Sequence, residues 1–159
     1  MSLRRKGTKK SAGILLYRSS AAGIEVFLVH PGGPFWAKRD SGAWSVPKGE
    51  IDGDEDLLQA AKREFHEETG ARVDGEFVEL APARQPSGKV VHAWAVEGDI
   101  DAAAIASNMF SMEWPPHSGM TREFPEVDRG GWFTLVDARD KLVPGQLPLL
   151  DQLMRILAR

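Results

Sequence analysis

The sequence contains no cysteine, a single tyrosine and no apolar run of the length that crosses a membrane. The absence of cysteine excludes disulfides, cysteine-ligated zinc, iron–sulfur clusters and thiol catalysis. Positive charge is not in excess either, because 20 Lys and Arg residues face 23 Asp and Glu residues and leave a formal charge of -3. We therefore expect no whole-molecule field that attracts nucleic acid or acidic lipid. These absences are typical of a cytoplasmic protein.

Several catalytic motifs are also missing from the chain. There is no phosphate-binding P-loop, no dinucleotide glycine fingerprint and no nucleophilic serine elbow, so covalent acyl chemistry and nicotinamide redox chemistry have no support. The four histidines show no metal-ligand spacing, and we assign them no role: His30, His66, His92 and His117.

The first ten residues are strongly basic. The apolar run that follows them, 14–17, is shorter than the hydrophobic region of a signal peptide, and no cleavage site follows it. We interpret residues 1–10 as a flexible, solvated basic tail and residues 11–159 as a single domain.

Hydrophobic periodicity and turn residues divide the domain into short elements. They predict strands over 11–17, 25–30, 43–46, 72–80, 89–96 and 132–136, helices over 54–69, 100–107 and 147–157, and a long loop over 108–131. Strands that precede, separate and follow helices predict an α/β domain with a mixed sheet between helices.

The helix over 54–69 carries the most distinctive pattern. Asp52 or Asp54 is the expected cap at its start, and Gly70 ends it. Its glutamates at 64, 67 and 68 fall within about 100° of one another on a face that borders the buried side. Three negative charges on one partly buried face repel one another, so they favour a bound cation that neutralises them.

Oxygen ligands without cysteine or paired histidines favour a hard cation, Mg²⁺ or Mn²⁺, which typically shares its coordination with substrate phosphates. Lys48 lies shortly before the helix and is able to meet a phosphate. The alternative interpretation is a glutamate-rich face that is simply solvated.

Residues 49–71 match a known pattern at every fixed position. Gly49, Glu55 and the run 63–71, REFHEETGA, resemble the signature box of the Nudix hydrolases, G-x5-E-x7-R-E-U-x-E-E-x-G-U, where U is bulky and apolar. Phe65 and Ala71 depart mildly from that pattern, and both departures concern packing. The resemblance implies an α/β/α sandwich over most of residues 11–157.

By resemblance, the activity is hydrolysis of a nucleoside diphosphate linked to another group, with water attacking phosphorus at bound divalent metals. The implied metal ligands are the carbonyl of Gly49 and the carboxylates of Glu64, Glu67 and Glu68. Arg63 would orient the glutamates, Glu55 would support the site, and Glu64 is the first candidate for the general base.

Family members often use a further glutamate from a loop outside the box. Glu126 has a placement similar to that of the extra carboxylate in MutT-type enzymes, with Glu123 and then Glu113 as alternatives.

The residues before the box bear on the substrate. The segment 44–49, WSVPKG, resembles the lead-in of Nudix enzymes that cleave bis(5′-nucleosyl) polyphosphates, although Glu50 stands where a histidine commonly follows. Candidate phosphate contacts are Lys48, Lys38 and Arg39, and candidate base-stacking residues are Trp36, Phe35 and Trp114. Each aromatic is equally a packing residue.

Three functions remain open at this point. The first is a pyrophosphohydrolase of a dinucleoside polyphosphate, a (d)NTP or a nucleotide sugar. The second is a nucleotide-binding regulatory module, which the intact box disfavours. The third is removal of pyrophosphate from RNA 5′ ends, which the acidic net charge disfavours.

Overall fold

The computed structural model describes residues 9–159. The elements are strands β1 (Lys10–Ser20), β2 (Gly23–Pro31) and β3 (Lys48–Glu50), helix α1 (Leu57–Thr69), strands β4 (Val78–Glu79), β5 (Ala83–Arg84), β6 (Val90–Glu97), β7 (Met109–Glu113), β8 (Thr121–Pro125) and β9 (Val127–Thr134), and helices α2 (Leu135–Lys141) and α3 (Leu147–Leu157). Short 3₁₀ turns lie at Ala102–Ala104 and Pro144–Gln146. Within the described range, no helix has the length and apolar character needed to cross a membrane.

Seven strands form one mixed sheet. Its order is β4-β6-β1-β2-β9, with β3 paired to β1 and β5 paired to β6. Strand β1 runs parallel to β6 and antiparallel to β2 and β3. At the β1–β3 junction, a Cβ on Gly13 would lie 2.7 Å from Cβ of Lys48, so glycine permits this close pairing. The pairing holds β3 next to α1.

The core occupies both faces of the sheet because side chains along β1 and β2 alternate. Leu15, Val26 and Leu28 pack on one face, against Leu149, Leu150 and Leu153 of α3. Ile14, Leu16 and Phe27 pack on the other, against Ala60, Ala61 and Phe65 of α1. The α/β/α sandwich with a mixed sheet is thereby confirmed.

Helix α1 begins later than the sequence predicts. Asp56, rather than Asp52 or Asp54, caps it by accepting the N–H of Gln59 at 3.1 Å. The N–H of Glu55 instead donates to the carbonyl of Asp52 at 3.0 Å, which closes a separate turn before the helix.

The prediction of a long loop over 108–131 is wrong. Strands β7 and β8 form a separate two-stranded sheet there, and β9 already begins at Val127. The predicted strand over 43–46 consists only of isolated bridges at Trp44 and Ser45. The predicted strand over 72–80 is shortened to β4. The predicted helix over 100–107 is only a 3₁₀ turn. Helix α2 was not predicted, because its seven residues are too few to show a period.

The predicted tail lies mostly outside the described residues, which begin at Lys9. Lys10 is already the first residue of β1 and pairs with Val90 of β6. The flexible, solvated character of residues 1–8 therefore stays a prediction.

Candidate active site

Helix α1 places three carboxylates where they border the core. Glu64 is buried at 8% exposure, next to the fully buried Phe65, and the side chains at 67 and 68 are half-buried. Gly70 ends the helix in the left-handed region at φ 76°, and its N–H donates to the carbonyl of His66 at 2.7 Å. The predicted acidic face and the predicted helix end are both confirmed.

Arg63 connects these carboxylates to the segment before the helix. Its Nη1 donates to Oε1 of Glu64 at 2.8 Å and to Oε2 of Glu67 at 2.9 Å. Its Nε and Nη2 donate to the two oxygens of Glu55 at 2.9 Å each. The guanidinium thus donates to three carboxylates at once, an arrangement compatible with the orienting role that the resemblance implies.

Gly49 lies directly against Glu64. A Cβ added to Gly49 would overlap the carboxylate of Glu64, so the backbone of β3 approaches this carboxylate more closely than any other residue type allows. The predicted metal ligands at 49 and 64 are therefore neighbours in space.

Glu68 occupies the other side of the acidic face. Its Oε1 accepts the backbone N–H of Lys48 at 3.2 Å. The pKa of Glu68 is raised to about 8, chiefly by burial and also by the carboxylates of Glu64 and Glu126, although the backbone N–H and the charge of Lys48 oppose the rise. Burial likewise lowers the pKa of the Lys48 side chain, which faces Glu68.

The same physical causes act on Glu64. Burial raises its pKa to about 7, and the charge of Glu67 adds to the rise although Arg63 opposes it. A buried and a half-buried carboxyl with raised pKa values indicate negative charge that the protein compensates only partly.

The donor set fits a hard divalent cation, because all of its side-chain donors are carboxylate oxygens and their charge is incompletely compensated. In residues 9–159, however, no group of three or more acidic or histidine side chains is arranged so that it could hold a metal ion by itself. The reason is visible in the contacts: Glu64 and Glu67 face Arg63, and Glu68 faces the N–H of Lys48.

Among the three candidate carboxylates outside the box, the structure distinguishes Glu126. Glu126 is exposed, but partial desolvation and the charge of Glu67 both raise its pKa, so Glu126 lies near the acidic face. Glu123 is exposed on β8 opposite Ser111. Glu113 accepts the N–H groups of His117 and Gly119 at 2.8 and 3.2 Å and so stabilises the hairpin turn.

A cavity of about 270 Å³ adjoins the acidic face. Three of its lining residues are charged: Lys48, Glu68 and Glu126. Three others carry hydroxyl or amide groups: Ser45, Gln85 and Gln146. The remainder are apolar and include Trp36, Val127 and Val143. Glu68 and Lys48 thus belong to both the acidic face and the cavity.

The loop between β2 and β3 contributes Trp36 to the cavity, but Lys38 and Arg39 do not line it. The Arg39 guanidinium lies 5.6 Å from the Trp36 ring, and Lys38 is exposed. Phe35, 60% exposed, makes an edge-to-face contact with Trp114 at 5.4 Å between centroids. Roles of these residues in substrate binding remain predictions.

Buried His30 anchors that loop. One ring nitrogen, Nδ1, lies 2.9 Å from Oδ1 of Asp128, and the other, Nε2, lies 2.6 Å from the carbonyl oxygen of Arg39. Trp44 of the lead-in is also buried, and its Nε1 donates to Asp40 at 2.8 Å. Sequence reasoning gave His30 no role because both of its partners are distant from any motif.

The hydroxyl and amide residues of the cavity were also missed. Gln146 and Gln85 lie 61 positions apart, and Gln146 follows a Pro-Gly pair that the sequence marks only as a break. No local signal links either residue to the box.

Comparison with known proteins shows similarity to a family model, to a protein of related sequence and to solved structures. The family model of the NUDIX domain matches residues 7–153. An RNA pyrophosphohydrolase from Mesorhizobium japonicum is 29% identical over 126 residues, which cover 70% of this chain and 68% of that protein.

Solved structures agree with the fold. A C. elegans Ap4A hydrolase in a binary complex is 24% identical with a TM-score of 0.65, over 93% of this chain and 98% of that one. The NUDIX domain of Shewanella oneidensis NrtR, complexed with ADP ribose, is 21% identical with a TM-score of 0.68, over 96% and 90%. The MutT protein from Methanosarcina mazei is 19% identical with a TM-score of 0.62, over 98% and 99%. At these identities, the similarity concerns the fold.

Proposed function

This chain belongs to the Nudix family of hydrolases, and on that premise we propose that it cleaves a phosphoanhydride bond in a dinucleoside polyphosphate or a (d)NTP. The observation that carries the proposal is that Glu68 belongs both to the acidic face of α1 and to the cavity lining. A nucleotide in the cavity would bring its phosphates to the acidic face.

We propose Mg²⁺ or Mn²⁺ as the cofactor, held by Glu64, Glu67, Glu68 and the carbonyl of Gly49. When bound, the cation supplies charge neutralisation at the phosphoryl oxygens and lowers the pKa of water.

The protein's own groups then have separate tasks. Oε2 of Glu64, which Arg63 does not hold, accepts a proton from the attacking water. Arg63 keeps Glu64 and Glu67 in place, and Glu126 is the further carboxylate that completes the catalytic set. Lys48 meets the phosphate chain, Trp36 stacks on a base, and Lys38 and Arg39 contact outer phosphates.

The test is product formation, followed by chromatography, from ATP, dGTP, diadenosine tetraphosphate and diadenosine hexaphosphate with Mg²⁺ or Mn²⁺. We expect turnover of at least one compound, lost in chelator and in Glu67→Gln but retained in Glu76→Gln, a substitution of an exposed glutamate away from the acidic face. If no product forms from any compound with either metal, hydrolysis of these substrates is contradicted and a nucleotide-binding regulatory module is favoured.

A second candidate is RNA 5′-end pyrophosphohydrolysis, because the curated relative from Mesorhizobium japonicum is an RNA pyrophosphohydrolase. A 5′-triphosphate RNA in the same panel tests it. Release of pyrophosphate from that RNA at a higher kcat/KM than from any free nucleotide would support this second candidate over the first.

A further inference from the structure

The polar group in the cavity, made of Ser45, Gln85 and Gln146, plays no part in the hydrolytic step described above. Gln146 is fully buried, yet its side chain makes three hydrogen bonds inside the protein. Buried amides are oriented by their partners, and these partners determine which atom each amide leaves for a ligand.

The orientation of Gln146 follows from a backbone group. Its Oε1 accepts the N–H of Val46 at 3.0 Å, and a backbone N–H is always a donor. Nε2 of Gln146 therefore faces Ser45 and Gln85, to which it donates at 3.0 and 3.3 Å. The hydroxyl proton of Ser45 goes to the carbonyl of Val46 at 2.7 Å.

The orientation of Gln85 follows in turn. Because Nε2 of Gln146 is a donor, the atom of Gln85 that meets it is the acceptor Oε1. The Nε2 of Gln85 is then left without a protein acceptor among the residues that the structure describes. Glycine at 145 permits the close approach of this side chain, since a Cβ there would lie 3.0 Å from Cγ of Gln85.

Gln85 lines the cavity next to apolar residues that include Val127 and Val143, and its Nε2 carries two N–H groups that a ligand there could accept. The volume of the cavity, about 270 Å³, falls below the ~300–1,000 Å³ of sites for drug-sized ligands. Such a volume suits one flat ring system. The N–H donor of Gln85 favours a ring that carries a carbonyl oxygen on the edge that faces Gln85.

We propose that this cavity is a nucleobase subsite whose Gln85 amide selects bases with a carbonyl at the recognised edge, as in hypoxanthine, over the matching amino base, adenine. The inference rests on the proposed function, because the phosphates of that nucleotide would extend from the base toward Lys48 and Glu68. An amino group facing Gln85 would place donor against donor, and both would lose water without gaining a partner.

The test uses ITP and ATP, which differ at position 6 of the purine. We expect the Kd by calorimetry and the KM for ITP to be lower than those for ATP by about tenfold or more, the effect of one unsatisfied buried donor. In Gln85→Leu the two nucleotides should agree within about twofold, and in Gln85→Glu the preference should shift toward ATP. Gln59→Ala, on the exposed face of α1, is the matched control and should retain the wild-type preference.

Ribose 5-triphosphate, which has no base, separates base recognition from phosphate recognition. Its affinity should be unchanged in Gln85→Leu, whereas an equal loss for ribose 5-triphosphate and ITP would place phosphate at Gln85 and overturn the proposal. Equal binding and turnover of ITP and ATP by the wild-type protein would also overturn it. If no compound is hydrolysed but ITP still binds more tightly than ATP, the subsite stands and the proposed hydrolysis falls.

Discussion

Arg63 and Glu55 form a two-point ion pair, in which Nε and Nη2 of the guanidinium each donate to one carboxylate oxygen at 2.9 Å. This fork fixes the plane of the guanidinium, so that Nη1 points at Glu64 and Glu67. The orientation of two proposed metal ligands therefore depends on a glutamate that lies before the helix begins. Planar, two-point contact is a property of arginine that lysine lacks.

Arg63→Lys should therefore lower activity although it keeps the charge. A lysine ammonium contacts one or two of the three carboxylates, and the others lose their orientation. We expect kcat/KM to fall by about 10–100-fold, the usual effect of removing a group that orients metal ligands. Steady-state kinetics over a Mg²⁺ titration measures this, and the Mg²⁺ concentration for half-maximal activity should rise. Unchanged metal dependence would contradict the orienting role of Arg63.

Gly49→Ala should inactivate the enzyme through a steric effect. The added methyl group would overlap the Glu64 carboxylate, which is buried and has little room to move. We expect a loss of about 100-fold or more in kcat, because a misplaced catalytic group is that costly. Gly98→Ala is the matched control, since its Cβ would meet only one methyl group, Cδ1 of Leu16 at 3.2 Å, which needs to shift by only a few tenths of an ångström. Full activity in Gly49→Ala would show that Glu64 need not occupy this position.

The metal-free protein should lose stability as pH rises. Burial raises the pKa of Glu64 to about 7 and that of Glu68 to about 8, from an ordinary value of 4.5. The folded state therefore binds protons more tightly than the unfolded state between about pH 4.5 and 8, so the free energy of unfolding falls across that window, at a limiting slope of about 1.4 kcal/mol per pH unit for each group.

Urea unfolding in chelator at pH 5 and pH 8 measures this fall. Glu68→Gln, which is neutral at both pH values, should reduce the difference, and Glu123→Gln on the exposed face of β8 should not. Saturating Mg²⁺ should add stability at pH 8, because a ligand that binds only the folded state stabilises it. A stability that rises from pH 5 to pH 8 in chelator would contradict the raised pKa values.

His30 should matter for the loop that carries Trp36. Each ring nitrogen lies within hydrogen-bond distance of an oxygen, Oδ1 of Asp128 on one side and the Arg39 carbonyl on the other. His30→Leu removes both bonds and should cost about 1–3 kcal/mol of unfolding free energy. The loop then loses its anchor, and KM should rise more than kcat falls. A kcat loss with unchanged KM would assign His30 to the chemical step.

The box and its helix could be predicted because their information is local. Helical spacing alone places Glu64, Glu67 and Glu68 on one face, and Gly70 has a specific backbone role at the end of the helix. The box implies that Arg63 orients the glutamates and that Glu55 supports the site, and in the structure these two residues form an ion pair. These features survive in the structure because short-range geometry determines them.

The features that were missed depend on long-range contacts or on weak local patterns. Strands β7 and β8, with sequences MFSME and TREFP, contain no Val or Ile and have Pro-rich and Gly-containing neighbours, so they resemble a loop. The cavity lining joins Gln85 and Gln146, and the His30 anchor joins residues 98 positions apart. Neither pairing has a spacing that sequence reasoning could detect.

Glu126 is the loop carboxylate that we expect to act in catalysis. It lines the cavity together with Glu68, and its pKa is raised by partial desolvation and by the charge of Glu67. Backbone bonds hold it there: the N–H of Glu126 donates to the Asn108 carbonyl at 2.8 Å, and the Asn108 N–H donates to the Glu67 carbonyl at 2.9 Å. This two-step connection ties the loop to the last turn of α1.

Glu126→Gln should therefore lower kcat by about 10²-fold or more, the typical effect of losing a positioned acid–base group, with little change in KM. Glu123→Gln should retain wild-type kinetics because its side chain lies on the hairpin and does not line the cavity. Glu113→Gln should weaken only the hairpin turn, where its carboxylate accepts two backbone N–H groups, and should appear as faster proteolysis there with unchanged kcat. Steady-state kinetics of the three variants at saturating Mg²⁺ decides among them. If Glu123→Gln or Glu113→Gln shows the large loss of kcat instead, the catalytic carboxylate lies on the hairpin.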